Sequence, residues 1–210
     1  MLINFTNHPS ALWSRKQREA ALAYGEIVDL PFPAVPEDWD EGQVAALAEA
    51  WAARIAGLNP AAVVCQGKPP ENLPRGAPLI LVPDARKALA RLACNWYGNP
   101  TKSLKLIGVT GTNGKTTTTY LIKHILEATG EKTGLIGTVE NRAGEERFPA
   151  RRTTPNALEI QKILGKMVTN RCKFGVMEVS SHALLQDRTE NIPFTVGVFT
   201  NLTEDHMDYN

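Results

Sequence analysis

The sequence predicts an α/β protein in which two units, each built on a parallel sheet, follow one another. Short apolar segments alternate along the chain with longer segments whose apolar residues recur at helical spacing. The apolar segments 173–179 and 194–200 are nearly continuous, as strands buried on both faces of a parallel sheet require. A glycine-rich turn at residues 110–115 joins one such strand to a helical pattern. These three observations define the fold class.

Residues 1–100 are predicted to form the first α/β domain. Its strands are expected at Leu2–Phe5, Ile27–Leu30 and Ala61–Cys65, and a capping box at Ser14 and Gln17 begins a helix through Tyr24. A second helix is indicated by an apolar stripe at helical spacing, formed by Val44, Leu47, Trp51, Ile55 and Leu58. This βαβαβ order predicts a small Rossmann-like parallel sheet with right-handed crossovers, in which residues 1–67 form the main part.

The end of the first domain is rich in turn residues. Residues 66–78 contain four prolines and two glycines, which indicates a loop or linker. A short strand is expected at Leu79–Val82. Asp84 then caps a helix that ends near Gly98.

Residues 101–210 are predicted to form the second parallel-sheet domain. Strands are expected at Leu104–Val109, Leu135–Val139, Lys173–Val179 and Phe194–Thr200, and helices over 116–128 and 156–168. Residues 141–152 are predicted to be a loop because they are strongly charged, with Arg142, Glu145, Glu146, Arg147, Arg151 and Arg152.

The composition of the chain excludes several classes of protein. A formal net charge of +1 over 210 residues gives no electrostatic reason to expect nucleic acid or an anionic membrane as a partner. No apolar segment approaches the roughly 20 residues of a membrane helix, and the N-terminus lacks the pattern of a signal peptide. Three dispersed cysteines, Cys65, Cys94 and Cys172, fit a reducing compartment. We therefore expect a cytoplasmic protein.

The glycine-rich turn resembles a phosphate-binding loop. Gly108, Gly111 and Gly114 form a shifted variant of the pattern G-x-x-x-x-G-K-S/T, in which Val109 stands where the first glycine is expected. Backbone N–H groups and the helix N-terminus in such a turn surround phosphate oxygens. Lys115 would then reach the β- and γ-phosphates, and the Thr116 hydroxyl would ligate Mg²⁺. The second domain is therefore predicted to be of the P-loop type.

Polar residues follow two other predicted strands of the second domain. Glu178 ends one strand, and Asn201 ends the next, with Asp205 and His206 just beyond it. Because ligands bind at the carboxyl ends of parallel strands, Lys115, Glu178 and His206 are expected to converge. An acid at this position is the usual second anchor for Mg²⁺. The alternatives are a helix-capping role for Glu178 and a surface turn for His206.

Four segments of the second half resemble the Mur ligases of peptidoglycan synthesis. They are "TGTNGKTTTTYL", "TTPNALEIQ", "MEVSSHAL" and "VFTNLTEDHMDY", in this order and spacing. The glycine loop alone is shared with folylpolyglutamate and cyanophycin synthetases. "EVSSHAL" together with "TTP" resembles the family member that adds the third amino acid to UDP-N-acetylmuramoyl-L-Ala-D-Glu (UDP-MurNAc-L-Ala-D-Glu). The resemblance covers residues 68–210.

The resemblance implies a reaction. ATP phosphorylates a substrate carboxylate, and the amine of meso-diaminopimelate or L-lysine attacks the acyl phosphate, in a chain expected to act as a monomer. Lys115, Glu178 and His206 are the implied catalytic residues, and the metal ligands are Thr116, Glu178 and His206. The residues implied to bind ATP are Gly111, Thr112, Asn113, Gly114, Lys115, Thr116, Thr117 and Asn201. Those implied to hold UDP-MurNAc-L-Ala-D-Glu are Thr153, Thr154, Ser180, Gln186 and Arg188.

The chain departs from the family at both ends. Residues 1–67 lack the "DSR" and "PGxLFxA" segments of the family's uridine-binding domain, and they resemble a small Rossmann-like family sometimes found beside CRISPR loci. The family's modified lysine, the rest of its ATP domain and its amino-acid-binding domain would follow Asn210. We therefore expect a fragment or fusion whose central domain is incomplete and which alone lacks groups that the full reaction needs.

Two alternatives to the ligase remain from the sequence. The chain can be a non-catalytic module in which the Rossmann-like unit binds a nucleotide or another small ligand. Ser180, Ser181 and His182 can also indicate a hydrolase nucleophile, although the G-x-S-x-G turn of such enzymes is missing.

Overall fold

A computed structural model describes residues 2–3, 27–28, 40, 42–43, 46, 50, 53, 62–67 and 78–203. The chain divides into two compact units, Met1–Leu89 and Ala90–Asn210. None of the helices in the described part has the length and apolar character that crossing a bilayer requires. The helix predicted from Ser14 to Tyr24 and most of the linker lie outside the described residues. So do the five residues of the apolar stripe, Val44, Leu47, Trp51, Ile55 and Leu58.

The first unit contains a four-stranded sheet in the order β2-β1-β3-β4. Its strands are β1 (Leu2–Ile3), β2 (Ile27–Val28), β3 (Ala62–Cys65) and β4 (Leu79–Leu81). β1 pairs antiparallel with both β2 and β3, and only β3 and β4 pair in parallel. The predicted parallel βαβαβ sheet is therefore wrong. The order of elements along a sequence does not fix strand direction, and strands of two residues are too short for a burial pattern to reveal it.

Helix α1 (Ala85–Trp96) follows β4. Asp84 caps it as predicted, because its Oδ1 accepts hydrogen bonds from the backbone N–H groups of Arg86 (2.9 Å) and Lys87 (3.0 Å). The bond from Lys87 is the main reason why the pKa of Asp84 lies below its usual value. A 3₁₀ turn at Pro100–Ser103, within the second unit, then leads into the first strand of that unit's sheet.

The second unit is built on a six-stranded sheet in the order β10-β5-β9-β6-β7-β8. β10, β5, β9 and β6 are parallel, and β7 and β8 continue the sheet in antiparallel pairing. The strands are β5 (Lys105–Thr110), β6 (Thr133–Ile136), β7 (Glu140–Ala143), β8 (Glu146–Pro149), β9 (Phe174–Glu178) and β10 (Val196–Phe199). The helices are α2 (Lys115–Ala128), α3 (Ala157–Thr169) and α4 (Ser181–Leu185). The parallel-rich α/β fold predicted for this half is confirmed.

Two local predictions in the second unit are wrong. Most of the predicted charged loop 141–152 is a β-hairpin, in which β7 and β8 meet at a tight turn where Gly144 has φ 63°. The charges hid the period-2 alternation, because only one face of this hairpin is buried. β6 ends at Ile136 rather than at Val139, so residues 137–139 form a turn at the carboxyl edge of the sheet.

The two faces of the sheet pack against different helices. On one face, Ile107, Val109, Leu135 and Val176 form a buried cluster with apolar side chains of α2. On the other face, residues one position away in the same strands, including Leu106, Ile136 and Met177, pack with the apolar stripe of α3. This alternation is the pattern of a sheet covered by helices on both faces. The packing of α2 on one face holds the start of that helix beside the carboxyl edge of the sheet.

Two glycines in neighbouring strands make room for α3. Gly134 of β6 and Gly175 of β9 lie directly opposite each other, and the buried Met167 side chain packs over both. A Cβ atom on Gly134 would overlap the Met167 Sδ atom, and one on Gly175 would lie 3.2 Å from that sulfur atom. The close approach of α3 to the sheet therefore depends on these two positions having no side chain.

We predict that Gly134→Ala destabilises the second unit by about 1–3 kcal/mol, because Met167 must leave its packed position. Gly197→Ala on β10 is the matched control, since a Cβ there would meet nothing within 4 Å. Its effect is expected to stay within about 0.5 kcal/mol. Urea unfolding followed by circular dichroism measures both variants. Equal midpoints for the two would contradict this description of the packing.

Candidate functional site

A glycine loop, residues 111–114, connects the end of β5 to the start of α2. Gly114 is the residue before α2 and has φ 83°, and Gly111 has φ 130°. A Cβ atom on Gly111 would also lie 2.8 Å from the backbone oxygen of Asn201. No side chain in the described part of the chain caps α2, so the N–H groups of its first turn are available to a ligand.

The glycine loop is fastened to the end of β10. The side chain of Asn201 pairs with the backbone of Asn113, accepting from its N–H at 3.0 Å and donating to its oxygen at 3.1 Å. The Thr112 N–H donates to the backbone oxygen of Asn201 (3.0 Å), and the Thr200 hydroxyl donates to the oxygen of Asn113 (2.7 Å). These contacts hold the loop in shape. They place Asn201 against the glycine loop.

Lys115, the first residue of α2, folds back over the loop. Its Nζ donates to the backbone oxygens of Gly111 (2.6 Å) and Thr112 (2.8 Å). The positive charge is therefore held at the centre of the glycine loop, beside the N-terminus of the helix.

Glu178 lies at the end of β9 and is only 1% exposed. Its Oε2 accepts a hydrogen bond from the Thr116 hydroxyl (3.0 Å), and its Oε1 accepts one from the Thr138 N–H (2.9 Å). The Thr138 hydroxyl also lies 3.0 Å from Oε2. The structure thus joins Thr116 and Glu178, which are 62 residues apart in the sequence. His206 and Asp205 lie outside the described residues.

The five residues expected to hold a second substrate lie together beside Glu178. The buried Thr154 donates through its hydroxyl to the backbone oxygen of Glu178 (2.9 Å) and accepts from the Ser180 N–H (3.0 Å). Arg188 donates to the backbone oxygen of Thr154 (2.8 Å) and, through Nη2, to Gln186 Oε1 (2.6 Å). Thr153 joins the group through a contact between its hydroxyl and that of Thr138 (3.0 Å). The Ser180 hydroxyl caps α4 by accepting from the Ala183 N–H (3.2 Å).

Polar contacts between α2 and the hairpin support one side of the site. The Tyr120 hydroxyl donates to Glu140 Oε1 (3.1 Å), and Arg142 and Arg147 lie 3.6 and 3.8 Å from the same carboxylate. Burial, and then the hydrogen bond with Glu140, raise the pKa of Tyr120. Tyr120 therefore stays protonated and remains a donor to Glu140 at neutral pH.

Two site residues were missed by the sequence reasoning. Thr200 contacts the glycine loop, and Thr138 contacts Glu178. The signal for Thr138 was present, because a polar residue that follows a buried strand is the same feature that identified Glu178. It was hidden because the strand was predicted to run through Val139.

The donor atoms of this site are those of a hard-cation site. Among the described residues, no three His, Cys, Asp or Glu side chains come together as a metal-binding group. Glu178 and Thr116 instead provide a carboxylate and a hydroxyl oxygen, which are ligand types that Mg²⁺ and Ca²⁺ accept.

Comparison with known proteins finds relatives of the part of the chain that holds this site. Residues 109–210 match the Mur ligase middle domain. The chain is 50% identical over 148 residues to a UDP-N-acetylmuramoyl-L-alanyl-D-glutamate–2,6-diaminopimelate ligase of Clostridium acetobutylicum. The aligned residues make up 70% of this chain and 30% of that protein. This chain is 54% identical over 140 residues to the ligase of the same name from Clostridium tetani. That match covers 67% of this chain and 29% of the Clostridium tetani protein.

A solved structure of a ligase with this name superimposes with a TM-score of 0.61 at 25% identity, over 82% of this chain and 34% of that one. The chain thus spans about 30% of the length of the curated relatives that it matches. The part of the chain that carries the candidate site, residues 109–210, is therefore similar to the middle domain of the Mur ligases.

Proposed function

We propose that this chain carries the nucleotide site of an ATP-dependent ligase that adds the third amino acid to UDP-MurNAc-L-Ala-D-Glu. The relatives named above are called diaminopimelate ligases, which favours 2,6-diaminopimelate over L-lysine as that amino acid. The observation that carries the proposal is the contact between Thr116 and Glu178 beside a glycine loop and a helix N-terminus that no described side chain caps. The reaction passes through an acyl phosphate, which the amine attacks with loss of phosphate.

ATP would be held by the glycine loop and the first turn of α2. The residues proposed to contact its phosphates are Gly111, Thr112, Asn113, Gly114, Lys115, Thr116 and Thr117, with Asn201 behind the loop. Lys115 already lies over the loop, so its charge needs only a small movement to reach phosphate oxygens. The N–H groups at the helix N-terminus add a second source of positive potential.

The residues present fit Mg²⁺. The metal would be held by the Thr116 hydroxyl and the Glu178 carboxylate, which are oxygen ligands of the kind that Mg²⁺ accepts. Thr116 Oγ1 and Glu178 Oε2 are 3.0 Å apart. When bound, Mg²⁺ neutralises charge on the phosphoryl group that is transferred. We include His206 as a further ligand of the metal on the basis of its place in the family motif.

The muramoyl dipeptide would lie on the other side of Glu178. Thr153, Thr154, Ser180, Gln186 and Arg188 are the residues proposed to hold it. Thr154 and Gln186 orient Arg188, so its guanidinium group is fixed against the backbone of Thr154. A cation held in this way suits a substrate that carries carboxylates. The reacting carboxylate and the transferred phosphoryl group would then meet at Glu178.

We place this activity in the cytoplasm. The cysteines of the described residues, Cys65, Cys94 and Cys172, are all free thiols, which fits a reducing compartment. Burial raises the pKa of Cys94 and of Cys172, so both stay protonated and unreactive at neutral pH.

Lys115→Ala is expected to weaken the binding of Mg·ADP by tenfold or more, because it removes a charge-assisted contact of about 1.5–3 kcal/mol. Isothermal titration calorimetry measures the affinity. Lys162→Ala, which removes an exposed lysine from α3, is the matched control and is expected to bind like the wild type. If both variants bound Mg·ADP as the wild type does, the glycine loop would not be the phosphate site.

Glu178→Gln is expected to abolish most of the gain in ADP affinity that magnesium produces, because it keeps the shape of the side chain and removes its charge. The measurement compares ADP affinity with Mg²⁺ and with a chelator. Glu190→Gln, at an exposed position, is the control, and circular dichroism verifies folding. An unchanged magnesium effect in Glu178→Gln would remove Glu178 from the metal site.

A further inference from the structure

The turn after β6 provides most of the hydrogen-bond donors to Glu178. Three donors among the described residues reach this carboxylate, and two of them belong to Thr138, its N–H at 2.9 Å and its hydroxyl at 3.0 Å. The third is the Thr116 hydroxyl. A carboxylate that is 1% exposed depends on such donors for its orientation, because water cannot replace them.

The position of Thr138 is itself fixed. A Cβ atom on Gly137 would overlap Glu178 Oε1, so the turn can approach the carboxylate only with glycine at this position. The Gly137 N–H donates to Oδ1 of the buried Asn141 (3.3 Å), which ties the turn to β7. The turn is therefore a shaped support for Glu178 and not a variable connection.

The Thr138 hydroxyl also joins Glu178 to the proposed dipeptide side. It lies 3.0 Å from Glu178 Oε2 and 3.0 Å from Thr153 Oγ1. A hydroxyl has one hydrogen to donate, and a carboxylate can only accept. Thr138 therefore donates to Glu178, and Thr153 donates to Thr138. No donor among the described residues reaches the Thr153 oxygen, so it can accept a hydrogen bond from a substrate N–H or O–H group.

We propose that Thr138 is a positioning residue that orients the Glu178 carboxylate toward the metal and couples it to Thr153. The inference rests on the proposed function, since it assumes that Glu178 ligates Mg²⁺ beside a nucleotide. Thr138 itself does not touch the metal or the nucleotide in this role. It acts on the geometry of the ligand, as partners of metal ligands commonly do.

The experiment measures the apparent Mg²⁺ affinity of the ADP-bound chain by calorimetry. Thr138→Val removes the hydroxyl and keeps the backbone N–H. It is expected to lower the apparent Mg²⁺ affinity by about tenfold or more. Thr138→Ser restores the hydroxyl and is expected to recover affinity to within about threefold of wild type. Thr169→Val is the control, because that hydroxyl bonds to Gly165 on the exposed side of α3. It is expected to behave as wild type.

Three results would overturn the inference. Thr138→Val with wild-type Mg²⁺ affinity would show that the hydroxyl has no role, while the proposed function stands. Failure of Thr138→Ser to recover would assign the loss to packing instead of to the hydroxyl. A wild-type chain whose ADP binding did not depend on Mg²⁺ would contradict the proposed function and the inference together.

A double-mutant cycle tests the coupling to Thr153 separately. Thr153→Val is expected to change the apparent Mg²⁺ affinity in the wild-type background and to have no further effect in the Thr138→Val background. The same change in both backgrounds would show that Thr153 and Glu178 are not connected through Thr138.

Discussion

The burial of one carboxylate is the constraint on which the carboxyl edge of this sheet depends. Glu178 is 1% exposed and ends β9, a strand that lies between β5 and β6. A buried acid is costly unless donors surround it. The strand order supplies them, because the segments that follow β5 and β6 reach the carboxylate from its two sides, with Thr116 on one and Thr138 on the other. The strand order of the sheet thus determines which side chains surround the Glu178 carboxylate.

Residues without side chains allow this arrangement to close. Gly137 lets a turn approach Glu178, and Gly111 lets the glycine loop approach the end of β10. Further from the site, Gly134 and Gly175 let α3 approach the sheet. Each glycine is placed where two backbones or a backbone and a buried side chain come too close for a Cβ atom. A precise site is obtained here by packing rigid elements closely, which leaves few ways for its ligands to move.

The sequence predicted the parts of the fold whose signal is local. The glycine loop, α2, α3 and the buried strand before Glu178 all follow from periodicity and turn residues within a short window. The antiparallel pairing of β1 was missed because strand direction depends on contacts far along the chain. The hairpin at 140–149 was missed because partly buried charged side chains, such as Glu140 and Arg142, gave the segment the composition of a loop. Thr138 was missed for a smaller reason, an error of three residues in the end of β6, which turned a site residue into a strand residue.

In the proposed site, Glu178 and Thr116 hold a divalent cation against a nucleotide in the glycine loop. A crystal structure of the chain with ADP and Mn²⁺, whose anomalous scattering locates the metal, tests it most directly. We expect phosphate oxygens on the N–H groups of residues 111–117 and a metal in direct contact with Glu178 Oε2 and Thr116 Oγ1. A nucleotide bound elsewhere, or a metal that does not touch Glu178, would contradict it.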